Sequence, residues 1–261
     1  MSDNSNRTVS IFDIQGSPSG KLSLPDVFRT AIREDIIRKA VIAQQSNRFQ
    51  PQGRNLMAGK RTTAESFGVG RGISRVPRVG GHGPLSGTAA FAPGTVSGRS
   101  AFPPVVGKKT VKNINRKEKR LALESAIAAT GSSDIVRKRG HQFDSKIEFP
   151  LIVTDDLEKL EKASDAKRFL TSIGLWNDVV RVSKSRRIKK SGRRIHAVGP
   201  LLVVNNNHSS KKAFGNFAGI KVVGVKDLSV EQLAPGTRPG RLTIWSESAV
   251  KALTHSDTKE K

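Results

Sequence analysis

A 68-residue stretch from Ser46 to Asn113 limits what this chain can become, because it lacks the means to build a core of its own. It holds 12 of the 24 glycines, half of the 12 prolines, and eleven Lys or Arg against a single acid, Glu65. The result is a net charge of +10 with little regular structure expected. Such a run is rare inside a compact domain and marks either a functional loop or a flexible linker. A linker joins two folded units, whereas the segments flanking this one read as parts of a single domain. Residues 1–45 and 114–261 are therefore expected to form one globular body, with 46–113 inserted as an extended loop. At about 3.3 Å per residue, an out-and-back excursion of this length reaches at most about 100 Å.

The flanking segments alternate between strand and helix patterns. Val9–Ile14 (VSIFDI) alternates like a half-buried strand, and Gly16–Gly20 supplies a turn. Residues 23–45 carry apolar side chains at helical spacing, with Ser23 and Asp26 placed as a capping box. Asn115 is placed to cap a helix over 116–130, and Gly131 to stop it. Four apolar runs, 149–154, 201–205, 220–225 and 242–246, suit strands buried on both faces of a parallel sheet. Helical patterns at 155–163, 165–173, 211–218, 230–233 and 247–253 lie between and after them, two opened by Ser164 and Ser229. The fold expected is α/β: a three-layer sandwich around a mainly parallel, Rossmann-like sheet, plus the long internal loop.

Charge narrows the partners. The full chain carries +24, far beyond what solubility requires, and this points to a polyanion, with nucleic acid ahead of an anionic membrane. The loop and a second stretch, Arg181–Val198, with eight Lys or Arg and no acid, together account for 18 of those charges. In the loop, Arg48, Arg54, Lys60, Arg61, Arg71, Arg75, Arg78, Arg99, Lys108, Lys109 and Lys112 are candidate RNA contacts. Phe49, Phe67, Phe91 and Phe102 are interleaved with its arginines. Arginine grips phosphate through a fork of donors, phenylalanine can stack on an unpaired base, and glycine lets a backbone approach RNA closely. In the second stretch the candidates are Arg186, Arg187, Lys189, Lys190, Arg193 and Arg194; without Phe or Trp, it should add affinity and salt sensitivity rather than sequence choice.

The sequence lacks the common enzyme signatures. Gly68, Gly70 and Gly72 are spaced two and two and lie far from any strand-to-helix junction, so they make no dinucleotide fingerprint. Gly107–Thr110 (GKKT) lacks the P-loop pattern, and neither GSPSG nor GTVSG places a serine at the centre of a nucleophile elbow. With no cysteine there is no disulfide, thiolate nucleophile or cysteine zinc site. His82, His141, His196, His208 and His255 show no metal-ligand spacing and read as surface or partly buried side chains. Asp155 and Asp156, at the carboxyl end of an apolar strand, read as helix-capping charges. No cofactor and no small-molecule substrate are expected. No apolar run approaches a membrane span, and MSDNSNRTVS lacks a signal-peptide pattern, so a soluble intracellular protein is expected.

Four ordered motifs carry a resemblance: AESFGVGRG (64–72), SGRSAFPP (97–104), RGHQFD (139–144) and APGTRPGRLTIWSESA (234–249). From about Val9 to Ala252 the chain resembles the large-subunit ribosomal protein four family in its archaeal and eukaryotic form, and the lack of a long basic tail points to the archaeal branch. The resemblance implies a body on the surface of the large ribosomal subunit and a role early in its assembly. It also implies a loop threaded inward through ribosomal RNA to the polypeptide exit tunnel. Phe67, Gly68, Gly70, Arg71 and Gly72 match the loop's inner motif and would lie near the tunnel wall. Arg99, Pro103 and Pro104 match its returning strand. The implied partners are large-subunit ribosomal RNA, other large-subunit proteins and the nascent polypeptide near the loop tip, in the cytoplasm and without a membrane. The rival readings are a free nucleic acid chaperone or regulator and, behind it, a nucleotide-binding α/β enzyme.

Overall fold

The structure is a computed structural model that describes residues 8–145, 147–205 and 208–258. It divides into two compact units, Met1–Gln45 with Lys112–Lys261, called the body, and Ser46–Val111, called the loop.

The body begins with strand β1 (Thr8–Phe12), which pairs antiparallel with β2 (Pro18–Ser23). A short 3-10 helix at Asp26–Arg29 precedes helix α1 (Glu34–Ser46). Two-residue strands β3 (Ala64–Glu65) and β4 (Arg78–Val79) belong to the loop. The body resumes with α2 (Arg116–Thr130), α3 (Ser133–Lys138) and β5 (Leu151–Val153). Helices α4 (Asp156–Lys159), α5 (Ala163–Ser172) and α6 (Trp176–Lys184) follow. A small hairpin, β6 (Arg187–Ile188) with β7 (Arg194–Ile195), leads to β8 (Leu201–Val204) and α7 (His208–Phe214). Last come β9 (Lys221–Gly224), α8 (Val230–Leu233), β10 (Thr243–Ser246) and α9 (Glu247–Thr258).

Six strands form one sheet in the order β2-β1-β5-β10-β8-β9, parallel except for the β1–β2 edge. Successive residues in the central strands serve opposite layers, as the pleat requires. Ile152, Leu201, Val203 and Trp245 pack beneath α1, α2, α8 and α9. Leu151, Val153, Leu202, Val204 and Ile244 pack against α3 to α7, where Phe169 and Phe214 meet edge to face. Trp245 lies in register with Ile152 on one side and Val203 on the other, and its ring meets Phe28 edge to face at 5.5 Å. The three-layer α/β sandwich expected from the alternating patterns is the observed fold.

Several elements depart from expectation, each for a tertiary reason. The helix expected over 23–45 is broken: Ser23 ends β2 instead of capping a helix, and regular helix starts only at Glu34. Buried Ser125 of α2 stabilises the break, accepting from Arg33 N at 2.7 Å and donating to Ala31 O at 3.0 Å. The strand after the Gly16 turn, helix α3 and helix α6 are not among the elements expected from the sequence, although α6 sets Val179 and Val182 on one buried face. Helix α4 is shorter than expected, α5 begins before Ser164, and α7 begins before Lys211. Helix α2 has the expected bounds, although the Asn115 side chain does not bond the first turn. Ser229 opens α8, its backbone N–H donating to Gln232 Oε1 at 2.9 Å.

Candidate nucleic-acid interface

The loop is ordered by local turns rather than by a core. Strands β3 and β4 form a hairpin whose connection contains SFGVGRG. Gly68, Gly70 and Gly72 all adopt positive φ, 75°, 86° and 66°, and a Cβ at any of them would meet no atom within 4 Å. Glycine is needed there for backbone conformation and not for close packing. Ser66 Oγ closes the connection by donating to Arg75 O at 2.9 Å, and the Arg71 guanidinium lies 5.4 Å from the centre of the Phe67 ring.

Arg54, Lys60, Arg61, Arg71, Arg75, Lys108 and Lys109 are exposed, Arg99 is half-buried, and none forms an ion pair with a described residue. Arg48 is exposed as well, and Lys112, also exposed, is placed with the body. Arg78 behaves differently from its neighbours. Half-buried in β4, it donates to Gly87 O at 2.8 Å and Ser74 Oγ at 2.9 Å, so much of its guanidinium braces the loop itself.

On the body, Arg186, Arg187, Lys189, Lys190 and Arg193 are all exposed, on or beside the β6–β7 hairpin. Arg194 lies in β7; its side chain lies outside the described groups. The base of this hairpin is clamped. Arg181 donates to Val198 O at 2.9 Å and to buried Asp178 Oδ1 at 2.9 Å, while Ser185 Oγ accepts from Ala197 N at 2.9 Å. Other basic groups of the body line two grooves, Arg181 among them although Asp178 meets its charge. A groove of about 720 Å³ beside α6 is lined by Arg137, Arg181 and Lys184 among others. Another of about 740 Å³ is rimmed by Arg116, Lys117, Lys119 and Arg120 over Leu123, Leu228 and Val230. The run NRKEKR was a signal for the second; nothing in the sequence signalled that Arg137 and Lys184 share a groove.

Two motifs that drew attention in the sequence prove to be internal braces. Arg241, 2% exposed, donates to the carbonyls of Gly199 (2.8 Å), Gln232 (2.9 Å), Pro200 (3.2 Å) and Gly219 (3.3 Å). Burial pushes its pKa down to about 9. Arg139 donates to the carbonyls of Pro235, Arg238 and Pro239, and burial, with Arg238 nearby, pushes it to about 10. His141 corrects an expectation: it is fully buried, its Nδ1 3.0 Å from Asp178 Oδ2. Burial holds its pKa below the ordinary value, against the opposing pull of Asp178. Burial pushes Asp178 the other way, but bonds from His141, Arg181 and Gln142 N outweigh it and leave the carboxyl lowered. His82 and His196 are exposed, whereas the side chains of His208 and His255 lie outside the described groups.

The carboxyl edge of the sheet, where α/β enzymes place their ligands, is occupied by the protein's own polar groups. Glu158 Oε1 accepts from Asn205 N, Ser246 Oγ and Ser248 Oγ at 2.7, 2.8 and 3.0 Å. Asp155 does cap a helix, but it is α9 rather than α4, through Ser248 N at 2.8 Å. Asp156 pairs with Lys159 at 2.7 Å. Among the described residues, no group of three or more His, Cys, Asp or Glu could hold a metal ion, and no helix is long and apolar enough to cross a membrane.

Residues 22–256 match the model of the ribosomal protein L4/L1 family. A Saccharolobus islandicus protein named large ribosomal subunit protein uL4 is 46% identical over 250 residues, spanning 93% of this chain and 92% of its own length. The Saccharolobus solfataricus protein of the same name is 47% identical over the same shares of each chain. Both organisms are archaea, and both relatives are named as ribosomal proteins and not as enzymes. The chain belongs to the ribosomal protein L4/L1 family.

Proposed function

We propose that this protein is a structural constituent of the large ribosomal subunit, held in the cytoplasm by large-subunit ribosomal RNA and by neighbouring subunit proteins. The loop threads through that RNA toward the polypeptide exit tunnel. Phe67, Gly68, Gly70, Arg71 and Gly72 lie near the tunnel wall and the nascent chain, and binding contributes early in subunit assembly. The observation that carries this reading is the set of exposed cations, Arg54, Lys60, Arg61, Arg71, Arg75, Lys108 and Lys109 in the loop and Arg186, Arg187, Lys189, Lys190 and Arg193 on the hairpin, that form no ion pair with a described residue. Exposed cations on a chain of +24 repel one another, and a phosphate backbone is the partner that relieves the repulsion while releasing its own counterions.

Within this reading, Arg54, Lys60, Arg61, Arg71, Arg75, Arg99, Lys108 and Lys109 meet phosphates along the loop, with Arg48 and Lys112 at its ends. Arg186, Arg187, Lys189, Lys190, Arg193 and Arg194 do so on the body. Arg78 contributes chiefly by shaping the loop, given its internal bonds. The test is to sediment ribosomes through high salt and quantify the chain in the large-subunit fraction. Near one copy per subunit is expected; recovery mainly in the supernatant would overturn the reading.

A further inference from the structure

The four phenylalanines of the loop are held in different ways. Phe67, 37% exposed, has the Arg71 guanidinium over its ring. Phe91 is half-buried, sits at φ 66°, and has the Arg99 guanidinium 5.6 Å from its ring centre. Phe49 is 62% exposed near the start of the loop. Phe102 is 95% exposed, with no ring or cation of a described residue on either face.

Phe102 is also the residue with the most restricted backbone of the four. It precedes Pro103, which precedes Pro104. A residue before proline is confined to the extended region, and each proline fixes its own φ. The ring is therefore presented from a stiff segment that loses little chain entropy on binding. Around it residues 46–113 carry eleven cations and one acid. An exposed aromatic face in a cationic segment matches a nucleotide, whose base offers a π-face and whose phosphate offers charge.

Resting on the RNA-binding reading, we infer that Phe102 is the stacking platform for one unpaired nucleobase. Phe67 and Phe91, paired with Arg71 and Arg99, instead shape the loop that presents it. Of the loop's four phenylalanines, the inference assigns one to RNA by its face and two to contacts within the protein.

The test uses the full-length chain and the variants Phe102→Ala, Phe102→Leu and Phe102→Trp. Each is titrated with single-stranded oligoadenylate and with an RNA duplex of equal phosphate number. Stacking needs a ring, so the Ala and Leu variants should bind the single strand about tenfold more weakly while Trp holds or tightens binding. Duplex affinity and the dependence on salt should stay at wild-type values, because no charge changes. Wild-type binding by Phe102→Leu, or an equal loss on duplex and single strand, would overturn the inference and leave an apolar contact, as with a neighbouring protein, in its place. If the unmodified chain binds neither RNA, the proposed function falls as well, which separates the two failures.

Discussion

Arg241 in the body and Arg71 in the loop carry the same guanidinium to opposite ends. Arg241 is buried among four backbone carbonyls, and its charge is spent inside the fold. Arg71 is exposed, lies over the face of Phe67 within its own hairpin, and has no acidic partner among the described residues. The body surrounds Arg241 with acceptors, whereas at Arg71 the loop offers only a ring. A cation's role thus follows from what surrounds it, so total charge overstates the surface available to a polyanion.

The sharpest way to break this contrast is to remove a buried guanidinium. Arg241→Met should leave buried carbonyls unpaired and cost about 3 kcal/mol of body stability in urea unfolding. The matching change in the loop, Arg71→Met, should stay within about 0.5 kcal/mol. Equal losses would show that Arg241 is no brace.

The complementary change neutralises exposed cations. Replacing Arg186, Arg187 and Arg193 together by Gln should leave the urea midpoint nearly unchanged. It should reduce the log-log slope of RNA affinity against salt by about 2 to 3. An unchanged slope would make the β6–β7 hairpin a solvated face.

A third test concerns pH and the buried pair beneath that hairpin. Because the folded pKa of His141 lies below its ordinary 6.5, the unfolded chain takes up the proton first as pH falls. Stability is full above that value and declines as pH drops through the folded value. Asp178, also lowered, adds a loss of the same sign below its ordinary 3.8. His141→Asn should flatten the higher of these two windows in pH-dependent urea unfolding and, because it also removes a bond that holds Asp178 down, narrow the lower one. A slope unchanged near pH 6 would exclude His141 as its source.

The smallest effect expected is at the loop tip. Gly70→Ala forces a Cβ into left-handed backbone at φ 86° although the space is open. The strain, about 1 kcal/mol, falls on the hairpin alone. Body unfolding should not shift, while RNA affinity should weaken a few-fold. A shift in body unfolding would mean that the tip supports the body.

The fold class was legible because its strands are marked by apolar runs. Leu201–Val204 and Thr243–Ser246 are buried on both faces and need no partner to be recognised. Helix α2 was legible because an asparagine precedes it and a glycine follows it in sequence. The break at Ala31–Arg33 was not, because Ser125, more than 90 residues away, satisfies the backbone there. Of the candidate site, the cationic residues were evident from composition, and their exposure was not. Arg78 reads like Arg75 in sequence, yet it folds back onto Gly87.

The amino-acid sequence by itself determined a +24 charge concentrated in a Gly- and Pro-rich stretch, which points to a polyanionic partner. It also determined that the remainder forms a parallel α/β sandwich, because charge and apolar period are local properties. Only the tertiary structure decided that Arg139, Arg241 and His141 are braces and that Phe102 stands free. Pairing and burial depend on which distant backbone groups arrive beside a side chain, and no local pattern encodes that.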